Sequence, residues 1–461
     1  MTIQRPRLAD HALLRHHTVG DRQLFVVHDS RDGSLVRLDP HAAAVARLAD
    51  GTRDLDGLAL ACSRAGIYRR MSELEGIVLA LEQAGLLADG VEAGPPPLRS
   101  DGFYAFQVST DAERARPIEE LEGYRFSCSG GGACCAQYGT IALDREDVAR
   151  FVNAGGDPAK LTPLAGGVRT ERVALPIVDG HCAELTNDGR CRVHATGGLD
   201  AKPQGCRIYP ALFVDDGAAI RTSAVVECDC VLASDGLGER DGDPLAGGAR
   251  EAGALPAGAV VRVLPATIAL TAEHTASRGE LRAWSAAVDA ALRGAAADAA
   301  VDGIAAAVAL SHAVEAHGLS PEASVAALAP VELATIATAL GPVVGRISTE
   351  MRAAAAAADA WRSPNDRLRR VRHATQRAAS SLAARGAEAT LALPLPDPRW
   401  SSAERLSLRM AVFGYQLVGD RPLAAELLEL AARLAVAREL ASSGDRSLGH
   451  PITVVTAALR N

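Results

Sequence analysis

The first ninety residues open with two runs of β-forming side chains. Residues 22–29 (RQLFVVHD) and 34–39 (SLVRLD) flank Asp32-Gly33, a dipeptide typical of a hairpin turn, so they predict two antiparallel strands. Asp39-Pro40 then predicts the start of a helix that Gly51 ends, because aspartate caps helices and proline suits their first turn. Helical hydrophobic patterns cover residues 41–50, 54–65 and 71–87. We therefore predict a small α+β domain over residues 1–95.

A second predicted domain covers residues 103–240, between Pro/Gly-rich linkers at 92–102 and 238–248. A short strand (TIAL) precedes Asp144, which predicts the N-cap of a helix over REDVARFVNAGG with Asp147 at its third position. The following segment, ALPIVDGHCAELTNDGRCRVH, is typical of strands joined by turns. It places Cys182 and Cys191 near the two ends of one hairpin.

The remainder, residues 250–461, has helical hydrophobic periodicity and predicts an all-α domain. In DRPLAAELLELAARLAVAREL, Glu429 and Arg433 lie off the apolar face. Such a helix favours a bundle element that packs into its own core, with a partner-binding face as the alternative. The apolar face of this helix consists of Leu423, Leu427, Leu430, Leu434 and Ala437. For the chain as a whole, the predicted fold class is α+β.

Charge and hydropathy exclude two classes of partner. The net charge is −8 and the pI about 5.9, whereas a nucleic-acid-binding domain is usually basic. The sequence contains no 18-residue uncharged apolar run and its N-terminus has no apolar signal-peptide region, so we expect a cytoplasmic protein with no membrane contact. The arginine-rich run at 362–377 is interpreted as a solvated helix face, with an anionic partner as the alternative.

Eight of the nine cysteines fall within about 100 residues, and this cluster is the strongest chemical signal in the chain. Cytoplasmic thiols are kept reduced, so clustered cysteines favour metal binding or redox chemistry over structural disulfides. Disulfides and chance remain the alternatives. A reactive thiolate at Cys134 or Cys135 is also considered, but no base accompanies it in the sequence. The predicted metal ligands are Cys128, Cys134, Cys135, Cys182, Cys191, Cys206, Cys228 and Cys230.

The cysteine spacing favours an iron–sulfur cluster over zinc. Paired Cys-x-x-Cys knuckles, typical of zinc, are absent, and adjacent cysteines suit a cluster or two metals better than one small ion. His181 and His194 stand beside cysteines and are expected to orient ligands by hydrogen bonds, with direct ligation as the alternative. Lys202 and Arg207 offset thiolate charge or form ordinary surface ion pairs.

Residues 124–232 resemble the bacterial YkgJ-type cysteine-cluster family, described as zinc- or iron-chelating. The resemblance is carried by FSCSGGGACC, TIALDREDVARF, HCAEL, GRCRVH and KPQGCRIYP, in that order. It implies metal ligation by the six family-like cysteines and an irregular cysteine-rich domain. Gly131 stands where the family usually has its second cysteine, and Cys228-Asp-Cys230 is a candidate replacement or a separate site.

Two further resemblances bear on function. The cysteine cluster followed by a long helical part is similar to the flagellin lysine-N-methylases, which implies a protein-modifying enzyme that uses S-adenosylmethionine. No strand–GxGxxG–helix nucleotide loop accompanies it. Residues 35–58 and 81–90 resemble PqqD-type peptide-recognition domains, with a generic winged-helix-like domain as the alternative. The leading hypothesis is a metal-binding protein that docks or acts on a peptide or protein; the alternatives are the methylase-like enzyme and a non-catalytic redox sensor or scaffold.

Overall fold

The fold is given by a computed structural model. It describes residues 3–19, 22–29, 35–65, 67, 71–90, 105–108, 111–128, 132, 135, 141–166, 173–178, 181–237, 241–242, 245, 255, 259–294, 302–329, 331–360, 366–388, 399–419, 421–443 and 447–460.

Strands and helices are numbered in chain order. The strands are β1 Pro6–Leu8, β2 Ala12–Val19, β3 Arg22–Asp29, β4 Leu35–Leu38, β5 Leu87–Asp89, β6 Ala105–Val108, β7 Ile118–Glu120, β8 Ala142–Leu143, β9 Thr162–Pro163, β10 Ala165–Gly166, β11 Val173–Ala174, β12 Ile177–Val178, β13 His181–Cys182, β14 Ala211–Asp215, β15 Ile220–Ala224, β16 Val260–Val263, β17 Thr267–Ala269 and β18 Thr275–Ser277.

The helices are α1 Pro40–Leu48, α2 Leu55–Arg64, α3 Met71–Gln83, α4 Asp111–Arg114, α5 Arg145–Asn153, α6 Arg192–Gly197, α7 Gln204–Ile208, α8 Asp229–Ala233, α9 Arg278–Gly294, α10 Gly303–His317, α11 Pro321–Ala327, α12 Leu333–Ala360, α13 Asp366–Arg385, α14 Trp400–Phe413, α15 Leu423–Ser442 and α16 Pro451–Arg460. Short 3-10 turns lie at Pro158–Lys160 and Leu199–Ala201.

The chain divides into two compact units, and each draws on separated stretches of sequence. The first comprises Met1–Leu98, Cys135–Arg207 and the last two residues, and the second comprises Arg99–Cys134 and Ile208–Leu459. The cysteine-containing segment therefore contributes to both units. The three-part organisation of the sequence stays a prediction.

In the first unit, β2 is the centre of a six-stranded sheet. It pairs antiparallel with β3 and β10 and parallel with β12, and the sheet runs in the order β13-β12-β2-β3-β4. Helices α1 to α3 cover one face through a core that includes Leu14, Val27, Val45 and Leu58. The sheet thus joins the N-terminal segment to the hairpin that carries Cys182.

Most predicted elements of the first unit are confirmed. β3 and β4 pair antiparallel, although their Asp32-Gly33 turn lies outside the described residues. Asp39 caps α1, and the Asp39 side chain accepts hydrogen bonds from two backbone N–H groups of this helix. The pattern at 71–87 overran the helix, because Leu87 begins strand β5 and pairs with Leu8 of β1.

The second unit contains a five-stranded sheet in the order β6-β16-β14-β15-β7. β14 and β15 form an antiparallel hairpin, while β7 pairs parallel with β15 at one edge. Strand β16 lies inside the predicted all-α stretch, so that prediction fails before Arg278. The apolar run at Val260–Val263 is instead used between β6 and β14.

From Arg278 onward the described residues are helical, as predicted, and pack into the largest core of the chain. Leu427 and Leu434 of α15 are fully buried. The prediction that Glu429 lies off the buried face is wrong: its side chain is 3% exposed and contacts Arg346, Arg421 and Arg433. Burial alone would raise the pKa of Glu429, but the three guanidinium groups outweigh it and lower that pKa.

The architecture is therefore mixed α+β with a helical C-terminal region. Within the described part of the chain, no helix is both long enough and apolar enough to cross a bilayer.

Candidate metal centre

The two compact units share the eight predicted ligands equally. Cys182, Cys191, Cys206 and Cys135 belong to the first unit, and the remaining four belong to the second. Cys134 lies outside the described residues, as does most of the glycine loop before it. The structure has no disulfide between any two of the described cysteines.

Cys182 is the most buried of the four predicted ligands in the first unit. It ends strand β13, opposite Ile177 of β12, and is 3% exposed. The backbone N–H of Glu184 donates a hydrogen bond to its sulfur, and the N–H of Leu185 bonds its carbonyl at 2.9 Å. The two amides form a tight turn around this residue, because the hairpin strand stops there and the chain reverses.

Burial and neighbouring thiols both act on Cys182. Burial raises the pKa of Cys182 to about 12, the Glu184 amide opposes that rise, and the thiols of Cys206 and Cys191 add to it. This sulfur is therefore neutral at pH 7 when alone. A soft cation would reverse that preference, because thiolates are its favoured ligands and its charge outweighs the repulsion among them.

Short elements position the partner thiols of Cys182. Cys191 is the N-cap of α6, and the N–H of Arg192 bonds the carbonyl of Glu184 at 2.8 Å. The prediction of a second strand for the hairpin that carries Cys182 is wrong beyond Cys191. A single bridge pairs Cys191 with Leu185, and the chain then turns into α6. Cys135, Cys182 and Cys191 contribute to one small apolar cluster.

Cys206 lies on α7, whose start is fixed by a buried carboxylate. The Oδ1 of Asp147 accepts the N–H of Gln204 at 2.8 Å and a guanidinium N–H of Arg150 at 2.6 Å. Asp147 is fully buried, so this bond from α5 holds the residue two positions before Cys206. The sequence predicted Asp147 as a capping residue and gave no sign of this second contact.

The flanking basic and imidazole side chains have different environments. His194 is exposed on α6, which does not favour a direct ligand role, while His181 pairs with Val178 in the β12–β13 hairpin. Lys202 is half-buried. The Nε of Arg207, beside Cys206, is buried and has no hydrogen-bond partner among the described residues. An anionic thiolate centre nearby would suit that nitrogen.

In the second unit, Cys228 and Cys230 frame the start of α8. Cys228 is its N-cap and is 6% exposed, and Cys230 lies in its first turn. Tyr124 donates to the carbonyl of Val231 at 2.9 Å, and burial together with the two thiols raises the pKa of Tyr124.

The N–H of Ser127 donates to Ser234 Oγ at 3.0 Å, so the segment that ends in Cys128 runs along α8. Cys128 itself is exposed. The second unit therefore brings three of its four cysteines to one short helix and the segment beside it.

These groups do not yet form a closed site. Across the described ranges, no three His, Cys, Asp or Glu side chains converge closely enough to hold a metal ion. Cys182, Cys191 and Cys206 interact electrostatically without reaching a common point. The donor chemistry nevertheless fits a soft cation, since a buried sulfur with an amide N–H on it and two neighbouring thiols favours thiolate ligation.

Comparisons with known proteins supply no relative: no family model, curated protein or solved structure matches this chain.

Proposed function

We propose that the chain is a metal-binding protein whose cysteines serve as thiolate ligands. The observation that carries the proposal is the environment of Cys182, a buried sulfur that accepts an amide N–H and senses the thiols of Cys191 and Cys206. Cys135 packs in the same apolar cluster. Cys128, Cys134, Cys228 and Cys230 complete the proposed ligand set.

An iron–sulfur cluster is the first choice of cofactor, and zinc is the second. Eight thiols exceed the four that one zinc ion takes, whereas iron–sulfur clusters use Cys ligands at irregular spacing. A bound cluster would supply electron transfer, while zinc would supply structural stability. In either case the Glu184 amide stabilises the ligating sulfur of Cys182, and the Arg207 guanidinium offsets negative charge.

The finer assignment of parts belongs to the same proposal. Residues 1–95 form a PqqD-like or winged-helix-like part that recognises a peptide or protein, 103–240 form the cysteine-cluster domain, and 250–461 form the helical domain. The hairpin β3–β4 followed by helices α1 to α3 supports the first part. A cytoplasmic location is included because thiol ligands need a reducing compartment. The methylase-like enzyme that uses S-adenosylmethionine stays an alternative.

The test is anaerobic purification, followed by a visible absorption spectrum and by iron, sulfide and zinc analysis of the same sample. We expect brown protein with stoichiometric iron and sulfide. In Cys182→Ser we expect bound metal to fall by at least about 10-fold. Substitution of a residue that only supports a metal ligand already causes a loss of that size, and Cys182 is itself a proposed ligand. The matched control is Cys62→Ser, since Cys62 is also buried in the first unit but lies in a different apolar core.

Each result decides between stated alternatives. Colourless protein with stoichiometric zinc replaces the cluster by a structural site. A spectrum that is bleached by oxidant and restored by reductant supports the redox sensor. Metal-free wild-type protein, or Cys182→Ser with full metal content and an unchanged spectrum, contradicts the proposal.

A further inference from the structure

The large sheet of the first unit has a core side and an outer side. On the core side, the opposed residues Leu14 of β2 and Val27 of β3 lie in the apolar cluster under helices α1 to α3. Successive side chains of a strand point to opposite faces, so the next opposed pair, Arg15 and Val26, lies on the outer side. Val26 also opposes Arg37 of β4, so two arginines flank one valine there. The side chains of β2, β3 and β4 on this side form the outer face.

The outer face carries arginines without acidic residues. Arg22 joins Arg15 and Arg37 on it, because Arg22 and Val26 stand an even number of positions apart in β3. The single acidic residue of β2, β3 and β4 is Asp29, which lies on the core side. The three strands therefore present guanidinium groups and no carboxylate on the outer face, although the net charge of the chain is −8.

Arg15 is a cation without a counter-ion in the described part of the chain. Its Nη2 donates to the Nδ1 of His28 at 2.7 Å, and this imidazole accepts through a neutral nitrogen, because a guanidinium has donors alone. The Nε of Arg15 is buried and has no hydrogen-bond partner among the described residues. Burial lowers the pKa of Arg15 to about 10, which leaves it protonated at pH 7. A buried charge without a partner is costly, so an anion that reaches Arg15 gains more than it would at an exposed arginine.

The other two arginines of the outer face also lack carboxylate partners. Arg22 and Arg37 are exposed, and neither forms an ion pair with a described residue. Arginines elsewhere in the chain differ in this respect: Arg282, for example, is paired with Glu119 and Asp216. The charges of Arg22 and Arg37 are therefore not neutralised within the described ranges.

Apolar side chains separate the arginines of the outer face. Leu13, Leu24 and Leu35 are half-buried, and they belong to none of the apolar clusters that the described residues form. Sheet faces that bind RNA carry aromatic side chains on which the bases stack, whereas the outer face has no Phe, Tyr or Trp. A free phosphate ion would leave the leucines uncovered. The surface therefore complements an acidic protein segment that also contains apolar residues.

The spacing of the arginines suits an extended segment. Arg15 and Arg37 lie two strands apart, about 10 Å between their Cα atoms at about 4.8 Å per strand. Arg22 lies along β3, about 13 Å from Val26 at about 3.3 Å per residue. In an extended peptide, residues three or four positions apart span the same ~10–13 Å. Carboxylates at that spacing would reach successive guanidinium groups.

We propose that the outer face binds an acidic segment of a partner protein, whose carboxylates engage Arg15, Arg22 and Arg37 and whose apolar side chains cover the leucines. The proposal rests on the part of the proposed function that assigns partner recognition to residues 1–95, and it names the chemistry of that partner. It does not depend on the thiolate ligands, so its test needs no metal.

Three pools of random dodecapeptides are the probes. All contain Leu, Val and Gly, and they differ in their remaining residues, which are Asp and Glu, Asn and Gln, or Lys and Arg. Full-length protein is immobilised, and retained peptides are identified by mass spectrometry. We expect the acidic pool to be retained above the other two. The affinity of the most enriched acidic peptide, measured by fluorescence anisotropy, should fall with added NaCl, because salt screens exposed charges.

Two matched charge reversals locate the binding surface. Arg37→Glu places a carboxylate on the outer face, and we expect at least about tenfold weaker affinity for the acidic peptide, because like charges repel across an interface. Arg47→Glu is the control, since Arg47 is an exposed arginine of α1, which packs on the core side of the same sheet. Its affinity should equal that of wild type.

Arg15→Met removes the buried cation and keeps an unbranched apolar side chain. We expect at least about tenfold weaker binding, because the pair between Arg15 and a partner carboxylate is lost. Hydrogen exchange of residues 12–19 should be no faster than in wild type, since an unpaired buried charge does not stabilise the strand. Faster exchange with unchanged affinity would show that Arg15 has a structural role alone and would contradict the proposal.

The outcomes separate this inference from the function on which it rests. Retention of no pool would contradict both the inference and the recognition of a partner by residues 1–95. Equal retention of the acidic and amide pools, or equal affinity of wild type and Arg37→Glu, would overturn the inference and leave partner recognition standing.

Discussion

At the scale of single residues, Asp216 shows how a buried charge is made favourable. Its side chain is 1% exposed, and its Oδ1 accepts the N–H groups of Ala218 at 2.9 Å and Ala219 at 2.8 Å. Its Oδ2 contacts Arg282 and accepts the Tyr415 hydroxyl at 3.0 Å. Burial alone would raise the pKa of Asp216, but these hydrogen bonds and the Arg282 charge outweigh burial and lower the pKa.

The lowered pKa of Asp216 predicts the sign of a pH effect. An aspartate with a depressed folded pKa stabilises the protein above its unfolded pKa of about 3.9, and this stability is lost as pH falls through the folded value. Asp216→Asn keeps a side-chain oxygen that can accept the N–H groups of Ala218 and Ala219, but it loses the ion pair with Arg282. We expect it to lower the free energy of unfolding by about 2 kcal/mol at pH 7, with the difference shrinking toward pH 3.

Tryptophan fluorescence in urea measures this effect selectively, because Trp284, Trp361 and Trp400 all belong to the second unit. The surface control is Glu350→Gln, whose ion pair with Arg346 is exposed and which should change stability by less than about 0.5 kcal/mol. A difference between Asp216→Asn and wild type that stays constant from pH 7 to pH 3 would show that the charge of Asp216 is not responsible.

At the scale of elements, the residues at the start of helix α5 have two functions: they cap this helix, and they hold the start of helix α7. Asp144 and Asp147 form a reciprocal capping box at its N-terminus, as the sequence predicted for Asp144. Asp147 additionally bonds the backbone of Gln204, fifty-seven residues away along the chain. The first function is local and visible in the sequence, whereas the second depends on tertiary packing.

Two substitutions in α5 separate these functions. Asp144→Ala should cost about 1 kcal/mol, the usual value of an N-cap. Asp147→Ala also leaves the buried N–H of Gln204 without its acceptor and removes the ion pair with Arg150, so we expect a loss of about 3 kcal/mol. Hydrogen exchange followed by mass spectrometry measures the loss of stability in both variants. Faster exchange at residues 203–207 should appear in Asp147→Ala alone, and its equal appearance in Asp144→Ala would contradict the assigned contact.

Elements with strong local signals were predictable from sequence. The β3–β4 pair, α1 and α5 carry turn and capping residues that determine them locally. The chain after Cys191 was not predictable, because a short helix there is stabilised by the bridge to Leu185 and the bond to Glu184. The prediction for Glu429 failed for a similar reason, because the arginines that make its burial favourable include Arg346 of a different helix.

At the scale of the whole molecule, the compact units cut across the sequence domains. Parallel pairing of β2 with β12 joins residues 12–19 to 177–178, a contact that no local pattern encodes. For the candidate site, the sequence identified the thiols, but their division between units and the Glu184 and Asp147 contacts emerged only from the fold.

A buried ion pair between Arg438 and Glu404 joins distant segments of the second unit. Arg438 of α15 donates to both carboxylate oxygens of Glu404, at 3.0 and 2.7 Å, and to Asp302, the N-cap of α10, at 2.9 Å. Glu404 and Arg438 are 0% and 2% exposed, and the Trp400 indole N–H bonds the same carboxylate at 2.6 Å. Both charges are therefore desolvated and depend on each other.

Removal of one partner should be far worse than removal of both. Arg438→Met leaves the Glu404 carboxylate buried without its cation, and we expect a loss of about 3–5 kcal/mol. In Arg438→Met/Glu404→Leu neither charge of this pair remains, so most of that stability should return, although Trp400 loses an acceptor and Asp302 loses a donor. Urea unfolding followed by tryptophan fluorescence measures both variants. A double variant no more stable than Arg438→Met would mean that the pair stabilises the bundle by its geometry, because restoring electrical balance would then not restore the fold.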